Sequence, residues 1–190
     1  WHAKILYKCN GIRICIKRKY LTLKNISIYN CCMNKQDKFI KALRNLAYPV
    51  CIISNTENGH KNAITVSSMT SLSIDPASLL ACINKSASIH KTLKVGNLVN
   101  VNLLSSSQQE ISTICSSSDL DVSRFDNDFW SYDDNQMPFL EDSQAIIGCK
   151  IEEIVDYATH SILILSIEDV ILNNEQPDPL LYCNGDYLKL

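Results

Sequence analysis

The sequence predicts a mainly β fold: an antiparallel barrel, closed or half-open, with a few short peripheral helices. Seven or so apolar, β-branched segments follow one another with only short helical patterns between them, whereas a doubly wound sheet needs a helix after almost every strand. The chain also has only five glycines and carries neither of the Gly-rich loops that bind dinucleotides or triphosphates. Closing an antiparallel sheet into a barrel removes most exposed strand edges, so we expect that arrangement.

Length, composition and charge predict one folded domain preceded by a basic extension. The 190 residues are 46% hydrophobic and 20% charged, which is typical of one globular domain. Residues 1–32 carry seven Lys or Arg and no acid, while residues 33–190 carry eleven bases and twenty acids. We expect residues 33–190 to form the domain and residues 1–32 to lie outside it. The extension is either an organellar presequence or, as we favour, upstream sequence translated ahead of Met33.

The same patterns exclude several function classes. An acidic body lacks the cationic face that nucleic-acid binding requires, and no run of about 18–20 apolar residues could cross a membrane. The cysteines of the body, Cys51, Cys82, Cys115, Cys149 and Cys183, stand singly, and no CxxC spacing suggests a metal site. Isolated cysteines in apolar surroundings are typical of small core residues in a reduced protein, so we expect a cytoplasmic location and no metal.

The elements follow from periodicity and turn signals. An amphipathic helix is expected to begin after Met33, and Asn58-Gly59 predicts a tight hairpin. Ser107, with Glu110 three residues later, predicts a capped helix, and the acidic, aromatic segment 119–144 predicts a long surface excursion. The expected strands are 47–55, 62–69, 78–85, 98–104, 144–157, 160–173 and 179–184, and the expected helices are 33–46, 87–95 and 105–118.

Small polar groups and one cation cluster at a predicted strand–helix junction. The strand 78–85 ends in Asn84-Lys85-Ser86, and a helix is expected directly afterwards. Free N–H groups at a helix start attract anions, and a lysine adds a point charge, so this junction suits a phosphate. Ser86 or Ser88 is also a natural cap for that helix. The two interpretations are compatible.

Several ordered motifs in residues 37–190 resemble the flavin reductase family, the small components that supply reduced flavin to two-component monooxygenases. The matched segments are Thr65-Val66-Ser67-Ser68, Ser73-Ile74-Asp75-Pro76, the run from Cys82 to His90, the strand 101–104, Arg124-Phe125, and the closing Leu181-Tyr182 with Gly185 and Tyr187. The resemblance implies a flavin-binding split β-barrel of Greek-key topology that works as a homodimer.

The resemblance also implies an activity and a set of site residues. The activity is hydride transfer from NADH or NADPH to FMN (or FAD), with reduced flavin passing to a partner monooxygenase. The alternative is a non-catalytic flavin-binding electron carrier or sensor on the same barrel. The implied catalytic residue is His160. The implied flavin contacts are Thr65, Val66, Ser67, Ser68, Asn84, Lys85, Ser86, Ser88, Asn102, Phe125 and Tyr187.

One motif departs from the family pattern. The family usually has Gly-Asp-His at the late hairpin and a glycine five positions after the histidine; here the segment is Ala158-Thr159-His160, with Leu165 at the later position. The histidine is retained and its neighbours are not, which bears on how the nicotinamide is placed. A strand-end histidine is also common as a structural group. We interpret His60 and His90 as surface or helix-end residues.

Overall fold

The structure is a computed structural model that describes residues 4–9, 12–17, 33–117, 124–173 and 176–188. Its chain divides into two compact units, residues 1–46 and residues 47–190. The first unit contains an antiparallel hairpin of β1 (Lys4–Cys9) and β2 (Ile12–Lys17), which pair with each other, and helix α1 (Lys35–Leu43). The Asn34 side chain caps this helix by accepting a hydrogen bond from the amide of Asp37 at 2.8 Å.

The second unit holds twelve strands among its described residues. They are β3 (Tyr48–Pro49), β4 (Cys51–Glu57), β5 (His60–Val66), β6 (Met69–Ile74), β7 (Ala77–Asn84), β8 (Leu98–Leu103), β9 (Ser131–Tyr132), β10 (Pro138–Phe139), β11 (Ala145–Tyr157), β12 (His160–Leu172), β13 (Leu181–Cys183) and β14 (Asp186–Leu188). Two short helices accompany them, a 3-10 helix (Ser88–Thr92) and α2 (Gln109–Ser116).

Seven of these strands form one antiparallel sheet in the order β5-β4-β8-β11-β12-β7-β6. Its two edge strands, β5 and β6, follow one another in the chain and are joined by Ser67 and Ser68 alone. Three consecutive Cα–Cα steps span at most about 11 Å, so the sheet must curl until its edges meet at this connection. We call these two residues the seam. The predicted mainly β, antiparallel split-barrel fold is confirmed, and the seam connects its two edge strands.

Two apolar clusters lie on the two faces of the curled sheet. Successive residues of a strand point to opposite faces, so in β4 Cys51 and Ile53 join one cluster while Ile52 joins the other, and all three are buried. The first cluster is completed by residues from β7, β8, β11 and β12, and the second is covered by α2 and by Trp130, Leu140 and Leu180.

Most predicted elements are confirmed. Asn58 and Gly59 both have positive φ, as the tight turn between β4 and β5 requires, and Asn184 and Gly185 repeat that turn between β13 and β14. The helix expected over 87–95 is shorter than predicted: it is a five-residue 3-10 helix, Ser88–Thr92.

Two of the sequence predictions are wrong, the cap of α2 and the surface location of segment 119–144. No side-chain bond caps α2: its N-cap is Gln108, whose amide oxygen accepts from the backbone of Ser105 instead, while the hydroxyl of Ser107 pairs with that of Ser105. In the described part of segment 119–144, Trp130 and Leu140 are buried. The segment is therefore not a surface excursion: its aromatic and apolar side chains cover the second cluster.

Within the described residues, no helix is long and apolar enough to cross a membrane. Among the described cysteines, Cys51, Cys115 and Cys149 are buried, as predicted, whereas Cys82 and Cys183 are half-buried. Burial raises the pKa of each of the three buried thiols to about 12, so they remain protonated and unreactive.

Candidate functional site

The seam brings the first group of predicted site residues together. The amide of Cys82 on β7 donates to the carbonyl of Ser68 at 3.1 Å, and the hydroxyl of Ser68 donates back to the carbonyl of Cys82 at 2.8 Å. Two residues further along β7 the strand ends at Asn84, about 7 Å away at strand rise. Ser67 is half-buried and Ser68 is exposed. The seam therefore lies beside the C-terminal end of β7.

Asn84 organises the corner at the end of β7. Its side-chain oxygen accepts from both the amide and the hydroxyl of Ser86, each at 2.9 Å. The amide of Lys85 donates to the carbonyl of Thr159 at 3.0 Å, and that of Ala87 donates to the carbonyl of Asn84 at 3.0 Å. Three successive N–H groups are thus bonded within the protein. These three amides are therefore already engaged when an anion approaches.

The helix that follows the corner differs from the expected one. The helix after the corner is only five residues long, its N-cap is Ala87, and no side chain caps it. A single turn has little macrodipole, so neither Ser86 nor Ser88 acts as the expected cap. The cation of Lys85 and the exposed hydroxyls of Ser86 and Ser88 are what this corner offers a phosphate.

His160 lies at the same corner because of strand pairing. It begins β12 and stands directly opposite Asn84 in the β7–β12 register. Its side chain is exposed, and its Nδ1 lies 2.9 Å from the hydroxyl of Thr159. Occupation of Nδ1 leaves Nε2 as the ring nitrogen available to a ligand.

Four side chains form a connected network behind this corner. The ammonium of Lys85 lies 3.3 Å from Oδ2 of Asp156, and the hydroxyl of Ser161 donates to Oδ1 of the same carboxylate at 2.6 Å. Nε2 of His90 lies 2.7 Å from the oxygen of Ser161. These bonds, that of Ser161 first, hold the pKa of Asp156 below its ordinary value. The carboxylate is therefore ionised at neutral pH.

A second group of predicted residues lies apart from this corner, against α2. The hydroxyl of Thr65 donates to the carbonyl of Ser112 at 2.6 Å, and the hydroxyl of Ser112 lies 2.9 Å from that of Tyr187. Phe125 packs at 4.9 Å, centroid to centroid, on Trp130. Thr65, Phe125 and Tyr187 thus tie α2 and its covering segment to the sheet.

Two predicted residues lie in the interior. Asn102 is fully buried; its amide donates to the carbonyl of Ile52 at 3.0 Å, and its oxygen accepts from the amide of Leu140 at 2.9 Å. Val66 packs in the first apolar cluster. The structure therefore does not bring the side chain of either residue to the seam corner.

A groove of about 210 Å³ lies elsewhere on the barrel. Strands β8, β11 and β12 and the β9–β10 hairpin line it, with Leu98, Phe139, Gly148 and Asp169 among the lining residues. None of the predicted site residues lines this groove.

Sequence reasoning missed three members of the corner: His90, Asp156 and Ser161. His90 is half-buried and hydrogen-bonded, not a free surface group. Asp156 and Ser161 could have been predicted from the sequence, because the strands 144–157 and 160–173 were expected to be joined by a tight turn. Pairing across that turn sets Asp156 directly opposite Ser161, and facing side chains in such a pair interact.

Comparisons with known proteins identify the family. Residues 43–190 match the model of the flavin reductase like domain. The chain belongs to this flavin reductase family. It is 28% identical over 146 residues to the FMN reductase (NADH) RutF of Agrobacterium fabrum, an alignment that covers 77% of this chain and 83% of that protein.

Two further relatives of this flavin reductase support the assignment. The reductase component of an FADH(2)-dependent resorcinol hydroxylase from Rhizobium sp. is 30% identical over 151 residues, covering 78% of this chain and 84% of its own length. The solved structure of the flavin reductase PheA2 superposes with a TM-score of 0.70 at 25% identity, covering 83% of this chain and 99% of PheA2.

Proposed function

We propose that this flavin reductase transfers hydride from a nicotinamide cofactor, NADH or NADPH, to FMN or FAD at the corner formed by the seam and the end of β7. One observation carries the proposal: the bond between the seam and β7, together with the pairing of β7 with β12, brings Ser68, Lys85, Ser86 and His160 to one corner of a chain in this family. The Agrobacterium relative is named an FMN reductase that uses NADH, which supports that donor and acceptor here.

The donor set fits a flavin phosphate. Lys85 supplies a cation on a half-buried stem, and Ser86 and Ser88 supply exposed hydroxyls beside it. A phosphate prefers charge-assisted bonds to such groups. The hydroxyl hydrogen of Ser86 is given to Asn84, so binding requires that hydroxyl to turn from Asn84 to the phosphate.

The seam is placed to hold the polar edge of the flavin ring. Ser67 and Ser68 form the short connection between two strands, and Ser68 is exposed. The hydroxyl hydrogen of Ser68 is given to the carbonyl of Cys82, so this hydroxyl has to turn from Cys82 to donate to the ring edge. Fixed donors beside the ring edge stabilise the negative charge that develops there when hydride arrives. Thr65 and Val66 support this connection from β5, through the bond to Ser112 and through core packing.

His160 orients the nicotinamide in this proposal. The hydroxyl of Thr159 beside Nδ1 restrains the ring, and Nε2 is the nitrogen that would bond to the nicotinamide. The chemistry supplied by the two bound cofactors is direct hydride transfer, which requires rings held about 3–3.5 Å apart. His160 therefore needs to position a ring and does not need to move a proton.

We also propose a homodimer and an oxygenase partner. Exposed apolar side chains lie on β6 and on the C-terminal half of β12, two strands that flank β7: Leu72, Ile74, Val170, Ile171 and Leu172. A second copy that covers these residues would remove them from water. The resorcinol hydroxylase relative is named a reductase component, which supports a separate oxygenase as the consumer of reduced flavin, and free buried thiols support a cytoplasmic location.

The test combines turnover with flavin binding. Purified protein should oxidise NADH or NADPH when FMN, FAD or riboflavin is added, and the ratios of kcat/KM rank the donors and acceptors. Flavin binding without any turnover would favour the electron carrier or sensor instead.

A phosphate-selective variant tests the assigned corner. Lys85→Ala combined with Ser86→Ala should weaken FMN binding about tenfold, as expected for loss of a charge-assisted contact, and should leave riboflavin, which has no phosphate, unchanged. Lys150→Ala is the matched control, because Lys150 is also a surface lysine paired with a carboxylate, Glu152, at 3.1 Å. Equal losses for FMN and riboflavin would refute the phosphate assignment.

A further inference from the structure

Asp156 forms an ion pair with Lys85, the cation that the proposed phosphate site requires. It lies at the end of β11 directly opposite Ser161, and its two carboxylate oxygens have separate partners. Oδ1 accepts the hydroxyl hydrogen of Ser161 at 2.6 Å, and Oδ2 lies 3.3 Å from the ammonium of Lys85. The cation is thus neutralised from within the protein.

The other end of the network fixes the position of this carboxylate. A hydroxyl has one hydrogen, and Ser161 gives it to Asp156, so the contact at 2.7 Å between Nε2 of His90 and Ser161 requires the histidine to donate. Ser161 is fully buried. Because a buried, doubly bonded hydroxyl holds Oδ1, the carboxylate stays beside Lys85 rather than turning into solvent.

The ion pair itself is open to exchange. The side chain of Lys85 is 34% exposed and that of Asp156 is 66% exposed. Pairs exposed to this degree are screened by water and contribute little free energy. A phosphate, with a charge near −2 and three acceptor oxygens, can therefore displace the carboxylate as the partner of Lys85.

We propose that Asp156 is an internal competitor for Lys85, which lowers the affinity of the site for phosphate-bearing flavins. This inference rests on the proposed function, because it requires a flavin phosphate at Lys85. Asp156 sets the affinity of the site and does not itself contact the reacting atoms. His90 and Ser161 are positioning residues that keep the carboxylate in place.

Removal of the competing charge provides the test. Asp156→Asn keeps the shape of the side chain and an acceptor for Ser161, and thermal unfolding checks that the fold is retained. FMN should bind about two- to five-fold more tightly, the change expected from loss of one exposed ion pair, and riboflavin should bind as before. Glu152→Gln is the matched control, since it removes the same charge from the same strand; quenching of flavin fluorescence measures both ligands.

Lys85 distinguishes competition from simple repulsion between Asp156 and the phosphate. In a Lys85→Ala background, Asp156→Asn should tighten FMN binding by much less than it does when Lys85 is present. An equal gain in both backgrounds would overturn the competitor role, because repulsion does not require the lysine.

Different results would refute the phosphate site at Lys85 and the competitor role of Asp156. If Lys85→Ala weakens FMN selectively but Asp156→Asn leaves FMN unchanged, the phosphate site stands and the competitor does not. If Lys85→Ala affects FMN and riboflavin equally, the phosphate site is wrong and the inference fails with it.

Discussion

Two asparagines of the predicted flavin site, Asn84 and Asn102, have opposite roles in the structure. Asn84 is exposed at the end of β7, where its side-chain oxygen accepts from the amide and the hydroxyl of Ser86. Asn102 is fully buried and bonds two other chain segments. Both belong to matched segments of the same family, yet only Asn84 lies where a ligand can reach it. Sequence order places a residue in a motif, but exposure and prior bonding decide whether it is available to a ligand.

The same contrast separates the whole corner from the α2 face. At the corner, Lys85 bonds to Asp156 and Ser86 to Asn84 through groups at the surface that can exchange partners. Against α2, Thr65 and Tyr187 have their hydroxyls committed to Ser112. The corner can accept a ligand at small cost, whereas a ligand at the α2 face would have to break packing contacts.

The largest expected effect is on stability, at Asn102. Asn102→Ala should lower the free energy of unfolding by about 3 kcal/mol, because it leaves the carbonyl of Ile52 and the amide of Leu140 without their partner in the interior. Asn84→Ala, the matched change at the corner, should cost less than about 1 kcal/mol. Urea denaturation measures both. A selective loss of FMN affinity in a fully stable Asn102→Ala variant would contradict the structural role of Asn102.

The next effect is kinetic, at His160. His160→Ala should raise KM for the nicotinamide or slow hydride transfer by about tenfold, the equivalent of one lost hydrogen bond, with flavin affinity near that of the wild type. Anaerobic stopped-flow separates the two parameters. His60 is the control, because it also begins a strand after a two-residue turn. Reduced flavin affinity with unchanged hydride transfer would assign His160 to the other ligand.

A smaller effect is expected at Ala158, where the chain departs from the family pattern. Ala158 has φ +46°, a left-handed conformation that costs a residue with a Cβ about 1–2 kcal/mol. Ala158→Gly should remove that strain and, after the entropy cost of glycine, raise stability by about 0.5 kcal/mol. Thermal unfolding measures the change. A destabilised Ala158→Gly protein would show that the methyl group contributes packing at this hairpin.

No effect is expected from deletion of residues 1–32. Within the described part of this segment, β1 and β2 pair with each other, and all its charged residues are basic. The truncated protein should retain its unfolding temperature, its FMN affinity and its oligomeric state. Insolubility or loss of dimerisation would place the segment within the fold.

Much of the fold was predictable because its signals are local. An Asn-Gly turn sets the hairpin of β4–β5, and two long apolar strands on either side of a two-residue turn set that of β11–β12. The burial of Trp130 was not predictable, since acidic residues are interspersed with the aromatic residues around it. The segment folds back because it covers the second apolar cluster, to which Ile52 of β4 belongs. Hydrophobic pattern identifies a strand but does not reveal which segment covers its second face.

The candidate site was predictable in part for the same reason. The residues from Ser67 to Ser68 and from Asn84 to Ser86 were found from their motifs, and the structure brings them together at one corner. The partner of Lys85 was missed, because Asp156 lies 71 positions away and contacts it only through the pairing of β7 with β12 and of β12 with β11. Contacts of that kind depend on strand order, which motifs do not encode.

Titration of isotope-labelled protein with FMN, followed by amide resonances, tests the location of the site most directly. We expect the largest shifts at Ser68, Lys85, Ser86 and His160, smaller shifts at the same amides with riboflavin, and none at Asn102. The largest shifts at Phe139 and Gly148, which line the groove on the other part of the barrel, would contradict a flavin site at the seam.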